Sequence, residues 1–92
     1  MAAIEHDKVI ILTIAGEDVL FQPNMVAYNQ LQNEAATGKN VAGALRDYLL
    51  KVVQPESKPI LQALLMRPGL TVQIAGKLNE EYAPEVEITV KR

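Results

Sequence analysis

Residues 9–15 read Val-Ile-Ile-Leu-Thr-Ile-Ala, a β-branched run set between polar Lys8 and Gly16. That is the composition of a well-buried strand. Gly16-Glu17-Asp18 supplies turn chemistry, Val19-Leu20-Phe21 resumes the apolar pattern, and Pro23 stops it, so residues 8–22 predict a β-hairpin. Pro23 fixes a helix-compatible φ and Asn24 is a candidate N-cap; Met25, Val26, Tyr28 and Leu31 lead a first helix to its stop at Thr37-Gly38. Asn40 is the candidate cap of a stronger second helix, where Val41, Leu45, Tyr48, Leu49 and Val52 form one continuous stripe. Arg46, Asp47 and Lys51 lie mostly off that stripe, and Gln54-Pro55 ends the helix, because the residue before a proline is pushed out of the α region.

Ser57 is the candidate cap of a short third helix with Pro59 in its first turn, carrying Ile60, Leu61, Leu64 and Leu65 to a break at Pro68-Gly69. Residues 70–82 predict a fourth helix, with Leu70, Ile74, Leu78 and Tyr82 repeating every four positions. Gly76 sits inside it at a cost of about 1 kcal/mol relative to alanine, and is either tolerated, needed for a close approach, or an argument against the helix. The chain closes on Glu85-Val86-Glu87-Ile88-Thr89-Val90-Lys91, a strict alternation that predicts a strand with one wet face. A lone strand needs neighbours, so this one either joins the hairpin in a small three-stranded sheet or pairs with another chain. The fold class expected is α+β in a single domain over residues 1–92, with residues 1–7 as a flexible tail.

Composition narrows the function more than it names it. With 92 residues, 49% hydrophobic and 22% charged, the chain can bury one core. It has no cysteine, which removes disulfides, thiolate ligands and a cysteine nucleophile together. Nine basic against eleven acidic residues give a net charge of −2, with the basic ones mostly scattered singly, a poor match to a phosphate backbone. The N-terminus lacks the basic-then-apolar order of a signal peptide, and no apolar run approaches membrane-spanning length. No nucleic-acid or membrane partner is expected.

Candidate chemistry is sparse. His6, the single histidine, stands in a polar N-terminal segment without partners for a metal site or a triad. Glu80 and Glu81, with Glu85 and Glu87 nearby, form the one carboxylate cluster, on a helix end and the wet face of a strand, where a solvated acidic surface is the favoured reading. The glycines assemble no phosphate cradle, and the chain lacks tryptophan and has only one phenylalanine, so it offers no base-stacking platform. No catalytic, cofactor-binding or metal-binding residue is assigned, no cofactor is expected, and the chain reads as one that works by binding another protein. Leu50, Val53, Met66 and Val72 lie among the aliphatics beyond the main stripes: either the fold buries them all or some form a binding patch. Tyr28, Leu31, Tyr48, Met66 and Tyr82 are the candidate partner-binding anchors, as large side chains at helix edges, with ordinary core packing as the alternative for each.

Ile11-Leu12-Thr13-Ile14-Ala15-Gly16, Phe21-Gln22-Pro23 and Tyr28-Asn29 resemble the start of a family of small phage tail assembly chaperones. Pro68-Gly69-Leu70, Gln73-Ile74-Ala75-Gly76, Glu80-Glu81-Tyr82-Ala83-Pro84 and the alternation after it are similar to that family's end, whereas residues 32–63 match only as generic amphipathic helix. The resemblance implies a non-enzymatic chaperone of the bacterial host cytoplasm that coats the tape measure protein, helps recruit tail tube subunits and is absent from the finished virion. It also implies a short form beside a longer one made by ribosomal frameshifting. Monomeric or weakly self-associating behaviour is expected. The competing readings are a tail completion or connector subunit that stays in the virion, and a small regulatory or antitoxin-like protein, for which neither a basic face nor a partner-binding tail is evident.

Overall fold

The computed structural model describes residues 9–38, 40–83 and 88–91. Strands β1 (Ile10–Ile14) and β2 (Glu17–Phe21) form an antiparallel hairpin, followed by helices α1 (Met25–Ala36), α2 (Val41–Val52), α3 (Lys58–Leu64) and α4 (Leu70–Tyr82). The architecture is α+β. The hairpin turn is tighter than Gly16-Glu17-Asp18 suggested: it consists of Ala15 and Gly16 alone, with φ of 51° and 84°, while Glu17 and Asp18 already belong to β2. Two consecutive positive φ values are what a two-residue loop needs to follow the right-handed twist of the strands. Glycine adopts such a conformation freely; Ala15 does so at a steric cost that the ladder offsets.

Asn24 and Asn40 cap as expected. The Asn24 side chain accepts from the Ala27 N–H at 2.8 Å, and that of Asn40 from the Gly43 N–H at 3.2 Å. A Cβ at Gly43 would collide with the Asn40 side chain, so the second cap depends on its glycine. Helix α1 ends where Gly38, at φ 73°, donates to the Ala35 carbonyl. Helix α4 holds the predicted bounds. Gly76 is exposed, and a Cβ there would meet nothing, so it is a tolerated glycine, not a packing requirement.

The third helix departs from expectation in its cap. Residues Pro55–Ser57 form a 3-10 turn leading into α3, and Ser57 makes no side-chain cap bond. Its buried hydroxyl instead accepts from the Leu20 N–H on β2, at 3.1 Å. Beside it, Gln54 N–H donates to the Leu20 carbonyl at 2.9 Å and Gln22 N–H to the Val52 carbonyl at 2.7 Å, with Val53 bridging to Phe21. The stretch leaving α2 thus closes the outer edge of β2.

A third strand joining this sheet is not shown. Among the described residues the sheet has two strands, and residues 88–91 carry neither helix nor strand. Residues 84–87, with Glu85 and Glu87, and residues 1–7, with His6, lie outside the described residues. The Leu20–Gln22 part of the β2 edge is taken by residues 52–57, and alternation alone cannot tell a strand's own sheet from a foreign one.

One cluster of buried side chains joins the hairpin to all four helices. Val19 and Phe21 point from β2 into Leu31, Tyr48, Leu49, Val52, Leu61, Leu64, Ile74 and Leu78. Ile10, Leu12 and Ile14 lie against the same cluster but are only partly buried.

Candidate functional site

Helices α1, α2 and α4 meet through their tyrosines. The Tyr28 and Tyr48 rings lie edge to face with centroids 6.4 Å apart, and those of Tyr28 and Tyr82 at 5.7 Å. Such pairs add about 0.5–1.5 kcal/mol beyond the area they bury. Helical spacing places Tyr28 on α1, Tyr48 on α2 and Tyr82 at the end of α4, so three of the five predicted anchors converge on one seam. Tyr48 is fully in the core, whereas Tyr28 and Tyr82 are half-buried. Burial, and then the neighbouring Tyr82 and Tyr28 hydroxyls, push the Tyr48 phenol up from 10.0 to about 12. Its hydroxyl and the Asn79 side-chain oxygen are both buried with no hydrogen-bond partner among the described residues.

The other two anchors separate. Leu31 is buried in the core beneath α1, and in this fold neither it nor Tyr48 presents surface to a partner. Met66 stands clear at 78% exposure, just beyond α3 and before the Pro68-Gly69 break. Val72, two residues into α4, is 58% exposed. The extra aliphatics therefore divide: Val53 is buried and Leu50 partly so, whereas Met66 and Val72 remain outside the core.

A groove of about 300 Å³ lies between the hairpin tip and α3, lined by Ala15, Glu17, Ile60, Ala63, Leu64 and Arg67. Its floor is aliphatic, and it carries one acid and one base. None of these residues stands out as a site from the sequence, although Ile60, Ala63, Leu64 and Arg67 do share one face of α3 and its extension. The tight Ala15-Gly16 turn forms the opposite wall, and nothing in the apolar pattern reports its position. Glu80 pairs with Lys77 at 3.7 Å on an exposed face, and Glu81 is exposed, as a solvated acidic surface requires. No group of three or more histidine or acidic side chains suited to a metal ion occurs among the described residues. None of their helices is long and apolar enough to cross a membrane.

A hairpin packed on four short helices, with a groove beside the hairpin tip and with Met66 and Val72 exposed, defines a small α+β protein. The sequence places it more closely. The chain belongs to the phage tail assembly chaperone family, whose model matches residues 10–92. It is 38% identical over 82 residues to the "Uncharacterized 11.3 kDa protein in lys 3'region" of Haemophilus phage HP1 (strain HP1c1), covering 89% of this chain and 79% of that one. No solved structure matches it.

Proposed function

We propose that this chain is a single-domain, non-enzymatic chaperone of the host cytoplasm that binds the tape measure protein, helps recruit tail tube subunits and leaves before the virion is complete. Family membership sets the process, tail assembly. The observation that supports a binding role is the aliphatic-lined groove beside α3 together with the exposed side chain of Met66, which follows that helix. An amphipathic helix lays its apolar face on a surface of this kind, using anchors one turn apart. Methionine suits reversible contact with varied partners because its unbranched side chain repacks readily. Of the five anchors read from the sequence, Met66 is the one whose exposure best supports direct contact; Tyr28, Tyr48 and Tyr82 would act by holding α1, α2 and α4 together.

The test is co-purification of the N-terminally tagged chain with the tape measure protein encoded by the same genome, followed by size-exclusion chromatography with light scattering. The reading expects several copies of this chain per tape measure protein and a loss of at least tenfold in affinity for Met66→Asp, with folding intact. Absence of a complex, with the chain found instead in purified tails, would replace it with a structural tail subunit.

A further inference from the structure

The register of the hairpin assigns a direction to every backbone group along it. Leu20 donates its N–H to Ser57 and accepts at its carbonyl from Gln54, so its backbone groups point away from β1. Its cross-strand partner is Ile11, and Asp18 pairs with Thr13 in the same phase. In an antiparallel ladder both members of such a pair point their N–H and C=O groups outward. Ile11 and Thr13 therefore present two donors and two acceptors along the free edge of β1, and among the described residues no backbone hydrogen bond reaches them. An open edge of this kind is a template for another strand.

The same chain carries a segment suited to that edge. Residues 88–91 read Ile-Thr-Val-Lys, with Ile88 86% and Val90 78% exposed, far more than a β-branched pair two residues apart would retain in a sheet. On the inner face of β1, Ile10, Leu12 and Ile14 are incompletely covered. A strand added beside β1 with Ile88 and Val90 turned inward would complete that cover, leaving Thr89 and Lys91 in solvent. We infer that residues 88–91 of one copy add to the β1 edge of a second copy, so that the protein self-assembles head to tail. The edge and the segment are different surfaces, so the contact is heterologous: it closes into a ring, of which the reciprocal exchange between two copies is the smallest, or propagates as an open series. This inference stands apart from which tail protein the chain binds.

The test uses two variants of the full chain, one with the edge blocked by Ile11→Pro, which removes an outward N–H, and one with the segment broken by Ile88→Asp and Val90→Asp together. Should Ile11→Pro disturb the hairpin by circular dichroism, Ile11→Lys takes its place as the edge variant. Light scattering on the native chain is expected to show mass rising with concentration to a dimer or beyond. Each variant alone should remain a monomer, and an equimolar mixture should recover a one-to-one complex that grows no further, because one intact edge and one intact segment remain. A native chain monomeric at every attainable concentration, variants that associate as the native chain does, or a mixture that stays monomeric would each overturn the inference. So would slow amide exchange at Ile88 and Val90 in a monomer, which would mean the segment closes its own edge.

Discussion

The two strands of the hairpin have equal length and face one shared core, yet their outer edges have different fates. The β2 edge is closed by a stretch more than thirty residues downstream, through the Ser57 hydroxyl and the backbone of Val52 and Gln54. Along the β1 edge, Ile11 is 59% exposed, and no backbone hydrogen bond of the described residues reaches its outward groups. Strand composition does not separate the two, since both carry β-branched and apolar residues. What separates them is where the chain goes after α2: Pro55 ends the helix beside β2, and the 3-10 turn delivers Ser57 to the Leu20 N–H. An edge is thus a property of the connection that passes it, and the stable side of this molecule is the side the connection takes.

The sharpest way to break that contrast is to remove the side chain that anchors the closed edge. Phe21 is wholly buried at the end of β2 and pairs with Val53 across the bridge. Phe21→Ala is expected to destabilise the fold by about 3–5 kcal/mol, the usual cost of emptying a buried aromatic site. Urea unfolding followed by circular dichroism measures it, and a loss below about 1 kcal/mol would mean the closed edge is not part of the cooperative core.

Ser57→Ala probes the edge without touching the core. It strands the part-buried Leu20 N–H, and leaving such a donor unpaired costs about 1 kcal/mol, the low end of the range for a buried one. Amide exchange at Leu20 should accelerate, while exchange in α4 changes only with global stability. Unchanged protection at Leu20 would show that another acceptor replaces the hydroxyl.

Helix α2 links the closed edge to the tyrosine seam, because it supplies both the Val52 carbonyl and Tyr48. The Tyr48 proton is held to about 12 in the folded chain and released near 10.0 in the unfolded one. Between those values the unfolded state binds fewer protons, so stability is complete below the unfolded value and falls as pH rises through the folded one. Tyr48→Phe removes a buried hydroxyl without a partner among the described residues and should raise stability by about 1 kcal/mol at neutral pH. The gap between variant and native chain should then widen above pH 10.0. A gap constant with pH would place the alkaline loss in other groups.

Much of the fold is legible in the sequence, and the parts that are not share a cause. The stripe from Val41 to Val52, the caps at Asn24 and Asn40, and the fourfold repeat from Leu70 to Tyr82 are local patterns, and each lies where its period puts it. Ser57 reads as a helix cap because serine before a helix is one locally; its partner on β2 is distant in sequence and leaves no local trace. The Ala15-Gly16 turn lies a residue earlier than its chemistry suggests, because alanine rarely takes positive φ and Glu17-Asp18 imitates turn chemistry. Of the anchors, size and helical position pick out Tyr28, Leu31, Tyr48, Met66 and Tyr82, but whether each faces the core or solvent depends on packing between helices. The groove is invisible in the sequence for the same reason, since its two walls are some forty-five residues apart along the chain.

The smallest expected effect on stability lies at the open edge and carries the most information about it. Ile11 makes its ladder contacts from the outward-facing side of β1 and leaves most of its surface in water, so Ile11→Lys should shift unfolding by no more than about 0.5 kcal/mol. Its effect on assembly should be far larger, because a lysine on an edge strand opposes the approach of another strand by charge and by solvation of its ammonium. Light scattering at matched concentrations reads the second effect, and urea unfolding of the monomer reads the first. Ser57→Ala is expected to give the reverse pattern, a destabilised monomer whose β1 edge still accepts a strand. If Ile11→Lys instead unfolds the chain as readily as Ser57→Ala, then β1 is held from its outer side as firmly as β2, and the two edges of the hairpin are alike after all.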